Sequence, residues 1–130
     1  MFNPVNPDGV APPARKYVHA MTVPAGFRLL SLSGQVGTLP DGSIPDGIEA
    51  QTEAAFENCR KCLQAHGMDV ENVYKIVQYL TDPRYRDPFF EIRNRFLKDH
   101  TPTSTLLFVS ALAQPEMLVE VELFVAGPEA

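Results

Sequence analysis

The closing segment of this 130-residue chain constrains its fold more than any other stretch. Leu118 to Val125 alternates with a period of two, the signature of a β-strand. Val119, Val121, Leu123 and Val125 share one face and form an unbroken apolar row. Leu118, Glu120, Glu122 and Phe124 share the other. The first face asks for a layer of helices above it. The second is half acidic and half apolar, which suits neither bulk water nor a core. A subunit interface containing polar clefts would accommodate both halves.

The remaining segments supply the other strands and the helices. Tyr17 to Val23 is β-prone, Pro24-Ala25-Gly26 breaks it, and Phe27 to Val36 resumes, so these two runs are expected to form an antiparallel hairpin. A helix is predicted over about Asp46 to His66. Asp46 would be its N-cap, Glu49 the capping-box partner and Gly67 the stop. Ile48, Ala55, Cys59, Cys62 and Leu63 fall on one face of that helix. Val73 to Leu80 reads as a third strand. Asp87-Pro88 predicts the start of a second helix, running to about Lys98. Thr105 to Val109 and Leu118 to Val125 complete the set. The order β-β-α-β-α-β-β predicts an α+β fold, a mixed sheet with two helices on one face. Residues 1–130 read as a single domain. Residues 1–13 hold four prolines and no periodic apolar pattern, and read as an irregular arm.

Composition narrows the class of protein. Apolar residues make up 45% and charged residues 21%, which places the chain among globular proteins and not among disordered ones. The net charge of −5 argues against a broad nucleic-acid or anionic-membrane footprint. No apolar run approaches the ~20 residues of a membrane span. Met1 to Pro7 lacks the basic start and apolar centre of a signal peptide. With two cysteines and no disulfide framework, the expectation is a soluble cytoplasmic protein with reduced thiols.

Few groups offer chemistry. Cys59, Cys62 and His66 fall roughly on one helix face, so a metal triad is geometrically possible. A reactive CxxC belongs at a helix N-terminus, however, and this one lies near the C-terminal end, which favours cysteines that simply pack. Ser33-Gly34-Gln35 closes the second strand; the glycine allows a ligand or another backbone to approach, or marks a bulge. Glu120 and Glu122 project from one side of one strand. They can do acid–base work if one is partly buried, or remain solvated surface acids. No Walker loop, HExxH, GxSxG, EF-hand or GxGxxG occurs.

Taken together, the chain resembles the reactive intermediate deaminase family, also called the YjgF or Rid family, from about Ala11 to Ala126. The resemblance rests on Ala11-Pro12-Pro13 followed by Tyr17, on Ser33-Gly34-Gln35, and on Gln51-Thr52 with Asn58. It continues through Ala65-His66-Gly67-Met68, Tyr79-Leu80-Thr81-Asp82, Pro102 and Val119-Glu120-Val121-Glu122. It implies a chorismate-mutase-like fold and a homotrimeric barrel with small-molecule clefts between subunits. It implies hydrolysis of reactive imines or enamines, such as 2-aminoacrylate, to a carbonyl compound and ammonia, with no cofactor and no metal.

Carried over residue by residue, Tyr17 matches the cleft tyrosine, and Ser33 and Gly34 match the pair facing the ligand. Glu120 matches the water-handling glutamate, after one extra residue is allowed in Ala113-Gln114-Pro115. The family's Pro-x-Arg-Ser is here Pro102-Thr103-Ser104-Thr105, so Ser104 stands where an arginine would clamp the substrate carboxylate. Phe89-Phe90 stands where the family has an asparagine, and would line a more apolar pocket. The expected substrate is therefore an imine or enamine other than 2-aminoacrylate, anchored otherwise, with Arg15, Lys16 and Arg93 as candidate anchors. Arg15 and Arg93 read more readily as solvated surface residues than as anchors. The alternative is a non-catalytic trimeric small-molecule-binding or regulatory protein. A ribonuclease activity, reported for some relatives, is opposed by the acidic balance.

Overall fold

The apolar row of the last strand becomes the centre of the molecule. The computed structural model describes residues 1–129. Its elements are β1 (Asn3–Val5), β2 (Ala20–Thr22), β3 (Arg28–Ser31), β4 (Gln35–Val36), α1 (Ile48–Gln64), β5 (Val73–Leu80), α2 (Arg86–Leu97), β6 (Thr103–Phe108) and β7 (Val119–Gly127). The main sheet runs β3-β7-β5-β6, with β4 also pairing with β7. β7 is antiparallel to β3, β4 and β5, whereas β5 and β6 are parallel and α2 supplies the crossover between them. The fold is thus α+β, with a mixed sheet and two helices.

Both helices cover the predicted apolar face. Val119, Val121, Leu123 and Val125 are at most 2% exposed. They join one core with Ala55, Phe56, Cys59 and Leu63 of α1 and Phe89 and Ile92 of α2. Phe56 stacks on Phe96 with ring centroids 4.7 Å apart, locking α1 to α2.

The N-terminal third differs from the sequence expectation. The 17–23 and 27–36 runs do not pair with each other. β2 pairs instead with β1, inside the arm that read as irregular, with Pro4 opposite Met21. β3 pairs with β7, Leu30 opposite Val125. β7 has nine residues and offers a long ladder over a packed core, whereas an isolated two-stranded hairpin is only marginally stable. Helix starts also move. The N-cap of α1 is Gly47, whose φ of 89° suits glycine, and Asp46 and Glu49 form no capping box. The second helical run begins earlier than Asp87: Asp82 caps a 3₁₀ turn over Pro83–Tyr85 that leads into α2. Asp82-Pro83 carries the same start signature as Asp87-Pro88. Pro88 then lies in the first turn, where its missing N–H leaves no helical bond unmade.

Two polar side chains of α1 set the positions of the strands that matter. Gln51 is 2% exposed. Its amide nitrogen donates to Pro45 O (3.0 Å) and Glu116 O (2.8 Å), and its oxygen accepts from Leu118 N (2.9 Å). Asn58 donates to Val36 O (3.1 Å) and Thr38 O (3.0 Å). Gly37 lets the end of β4 approach α1 closely, since a Cβ there would lie 2.6 Å from Gln51 O. These contacts pin the loop before β7 and the end of β4, the two segments flanking Glu120 and Ser33-Gly34.

Candidate functional site

The residues singled out in the sequence divide into two groups on opposite faces of the sheet. In the register of β5 and β6, Ser104 stands beside Ile76, a fully buried residue of the helix-covered face. Glu120 stands opposite Tyr79, on the open face. Side chains alternate along a strand, so Ser104 and Glu120 of one chain cannot meet.

The first group gathers where β3 gives way to β4. Ser31 is opposite Phe124 and Gln35 is opposite Val121. Three residues, Leu32, Ser33 and Gly34, therefore face two of β7, and the strand bulges there. Gly34 lies directly against Glu120: a Cβ at Gly34 would sit 2.1 Å from Glu120 Oε2. Ser33 is exposed beside them. The two acids of the open face differ. Glu122 accepts a hydrogen bond from Tyr79 Oη at 3.0 Å. That bond, helped by burial and by the nearby charges of Glu122 and Glu120, raises the Tyr79 phenol above its ordinary pKa. Glu120 is half-buried and has no hydrogen-bond or ion-pair partner among the described residues. Its carboxylate is the unassigned one.

The second group lines a cleft of about 580 Å³ along β6, walled by Tyr17, Val18, Lys75, Thr103, Ser104 and Thr105. Val18 N donates to Pro102 O at 3.1 Å, which holds the Tyr17 segment against the start of β6. Tyr17 packs edge-on to His19, whose ring meets Ala11 O at 2.6 Å. Phe90 is half-buried beneath two guanidiniums, with Arg15 at 4.8 Å and Arg93 at 5.2 Å from its ring centroid. Phe89 is fully buried in the core, 5.8 Å from Phe56, and does not line the cleft. It faces the sheet because it shares the buried stripe of α2 with Leu97.

Arg93 also departs from the surface placement. It is 1% exposed and reaches Ser104 from behind. Phe89, Arg93 and Leu97 are spaced four apart, so the helical stripe that buries the two apolar residues buries the arginine as well. That spacing was the available sequence signal. Arg15 is exposed, as a surface residue would be.

Cys59 is fully buried, and burial pushes its thiol up to about 12. His66 is exposed and its ring meets Cys62 O at 2.9 Å. No group of three His, Cys, Asp or Glu residues is placed to hold a metal among the described residues. Among the described residues no helix is long and apolar enough to cross a membrane.

The fold and the motif order define a small α+β protein whose candidate ligand groups sit at the edges of one sheet. The family described as Endoribonuclease L-PSP matches residues 9–126, and the chain belongs to this family, the Rid/YjgF proteins. It is 33% identical over 88 residues to a RutC family protein of Aquifex aeolicus (strain VF5), covering 67% of this chain and 68% of that one. Among solved structures, RidA from the Antarctic bacterium Psychrobacter sp. PAMC 21119 matches with a TM-score of 0.71 at 26% identity, over 95% of this chain and 98% of the other. The conserved Rid-family protein YyfB from Yersinia pestis shares the fold, with a TM-score of 0.84 over 95% of this chain and 97% of the other, at 23% identity.

Proposed function

We propose that the chain is a hydrolytic deaminase of a reactive imine or enamine, working as a homotrimer with its sites between subunits, and that it belongs to the Rid subgroup without the carboxylate-clamping arginine. The observation that carries this reading is the free Glu120 carboxylate lying against Gly34, while its neighbour Glu122 is held by Tyr79. A carboxylate without a protein partner, beside a bulged backbone, is suited to hold a water. As that water attacks the carbon of the protonated imine, Glu120 takes a proton from it and the C=N electron pair becomes the lone pair of the carbinolamine nitrogen. Glu120 then returns the proton to that nitrogen, the C–N bond breaks to release ammonia, and the hydroxyl gives up its proton, which leaves as ammonium, as the carbonyl forms.

Assembly is supported by what the open face leaves uncovered. Leu29 and Leu107 point to that side and are 73% and 46% exposed. With Ser104 and Glu120 on opposite faces, a cleft that uses both needs a second copy of the chain. The test is ammonia release from a panel of acyclic and cyclic imines. Glu120→Gln should abolish turnover and Glu122→Gln should leave most of it. Molar mass in solution should be three times that of the chain. Clefts that bind ligand without hydrolysing any imine would instead favour the non-catalytic binding protein.

A further inference from the structure

The cleft wall that carries Tyr17 is not part of the main sheet. β1 and β2 pair only with each other, so no ladder joins them to β3, β5, β6 or β7. Arg15 to Val18 precedes β2 and forms no regular element. Tyr17 N donates to Arg15 O at 2.9 Å, which closes a three-residue turn with Lys16 at its centre. His19 is tied to Asn6 and Ala11, which belong to the same N-terminal stretch, so those bonds move with it. Three hydrogen bonds among the described residues join the strap from Arg15 to Val18 to the body of the fold. Val18 N donates to Pro102 O at 3.1 Å, Lys16 Nζ donates to Thr101 Oγ1 at 3.4 Å, and Arg93 Nη2 donates to Lys16 O at 2.7 Å. The Arg93 bond is the shortest, and its donor is a cation fixed in the core.

Arg93 is the only charged side chain that is fully buried among the described residues, and no carboxylate lies within ion-pair distance of it there. Nη1 donates to Asn94 Oδ1 at 3.0 Å, and Nε is buried with no partner. Burial lowers the arginine to about 10, still well above neutral pH, so the charge is present. An apolar residue in the stripe between Phe89 and Leu97 would pack without the cost of burying a cation. It could not hold the carbonyl of an irregular segment. Phe90 extends the hold to the next residue of the strap. Its ring has Arg93 at 5.2 Å and Arg15 at 4.8 Å from the centroid. Arg15 has no acidic partner within ion-pair distance, which leaves that ring as the group its guanidinium meets.

We propose that Arg93 is the positioning residue of the Tyr17 wall: together with Phe90 it pins the Arg15–Val18 strap to α2 and so sets the shape of the cleft; this rests on the reading of Tyr17 as a wall of the ligand site. Arg93 acts here through the backbone of Lys16 and touches no ligand. The wall is thus set by one helix through a charged bond and a ring, and it can open while the core stays closed.

Trypsin reads the strap directly, because Arg15 and Lys16 are both cleavage sites for it. Lys61 lies inside α1 and is cut only when the fold opens, so it serves as the internal reference. In the full chain, Arg93→Met should speed cutting after Arg15 and Lys16 at least about tenfold more than cutting after Lys61. Arg93→Lys keeps a cationic donor for Lys16 O and should stay within about threefold of the wild type. Phe90→Leu keeps an apolar side chain, loses both cation contacts, and should speed strap cutting at least about threefold over Lys61. On the imine hydrolysed fastest in the panel above, Arg93→Met should raise KM at least about tenfold and leave kcat within about threefold. Simple loss of folded protein would lower kcat and leave KM in place. If Arg93→Met fails to fold, Phe90→Leu and Arg93→Lys decide. Equal acceleration at the strap and at Lys61, unchanged strap cutting, or faster strap cutting with KM unmoved would each overturn the proposal. Cutting is read without turnover. Selective strap opening with no imine hydrolysis by the wild type would therefore fail the deaminase reading alone, and hydrolysis with the strap unaffected would fail this one alone.

Discussion

Gly34 and Glu120 occupy each other's space: a methyl group on Gly34 would lie 2.1 Å from Glu120 Oε2 and 2.9 Å from its Cδ. The obstructing atoms are the far end of a flexible side chain, so the carboxylate would swing aside and the backbone would stay. Gly34→Ala is therefore expected to cost less than about 1 kcal/mol in urea unfolding, below the usual range for overpacking. Imine turnover should nevertheless fall at least about tenfold. Adding Glu120→Gln to Gly34→Ala should remove little more activity, because the first change has already displaced the group the second removes. Independent, multiplying losses would show that Gly34 acts by some other route.

The Gln51 clamp carries a stability prediction. Its three hydrogen bonds join α1 to the loops before α1 and before β7. Gln51→Ala leaves two carbonyls and one N–H without their partner, and is expected to cost about 3 kcal/mol, at roughly 1 kcal/mol for each bond. Gly37→Ala should cost at least as much, since backbone stands 2.6 Å from the new methyl and cannot swing away. Chemical denaturation measures both. A cost below about 1 kcal/mol would mean, for Gln51→Ala, that the contact of α1 with the loop before β7 is looser than described, and, for Gly37→Ala, that the α1–β4 contact is.

Cys59 predicts an alkaline limit to stability. Its thiol titrates near 9.0 when unfolded and at about 12 in the fold, because burial disfavours the thiolate. Between those values the unfolded chain has released the proton and the folded chain has kept it. Stability therefore falls as pH rises from about 9 to about 12, by up to about 1.4 kcal/mol per pH unit from this group. Cys59→Ala should flatten that slope in unfolding measurements made from pH 8 upward. In the native protein at pH 8, the half-buried Cys62 should react with iodoacetamide well before Cys59.

Tyr79 reports on the acidic pair of the open face. Its phenol is held above 10.0 chiefly by the hydrogen bond it donates to Glu122, then by burial, then by the charges of Glu122 and Glu120. Glu122→Gln removes a charge and the strong acceptor, and should bring the ultraviolet phenolate transition of Tyr79 down toward 10.0. Glu120→Gln should lower it by a smaller amount. A larger effect from Glu120→Gln would mean that Glu120, and not Glu122, is the acid tied to the tyrosine.

The parts legible in the sequence are those set by local periodicity. The two-residue alternation of β7 determined which of its side chains would be buried, and Val119, Val121, Leu123 and Val125 are. The 3.6-residue pattern and Gly67 determined the long helix and its end, where Met68 N returns to Leu63 O at 3.0 Å. Family motifs placed Gly34 and Glu120 in the list of site residues, but not against each other. What the tertiary structure alone decided was which neighbour each strand takes, because pairing is a competition between distant segments. β3 left β2 for the longer ladder of β7, and β2 found Asn3–Val5. The same holds for Arg93: its spacing with Phe89 and Leu97 marks the buried side of α2, but nothing local says that the helix would lay it against Ser104. It is likewise the sheet register, and not any motif, that puts Ser104 and Glu120 on opposite faces. Sequence thus determined which residues are equipped for chemistry, and packing decided which of them one chain can bring together.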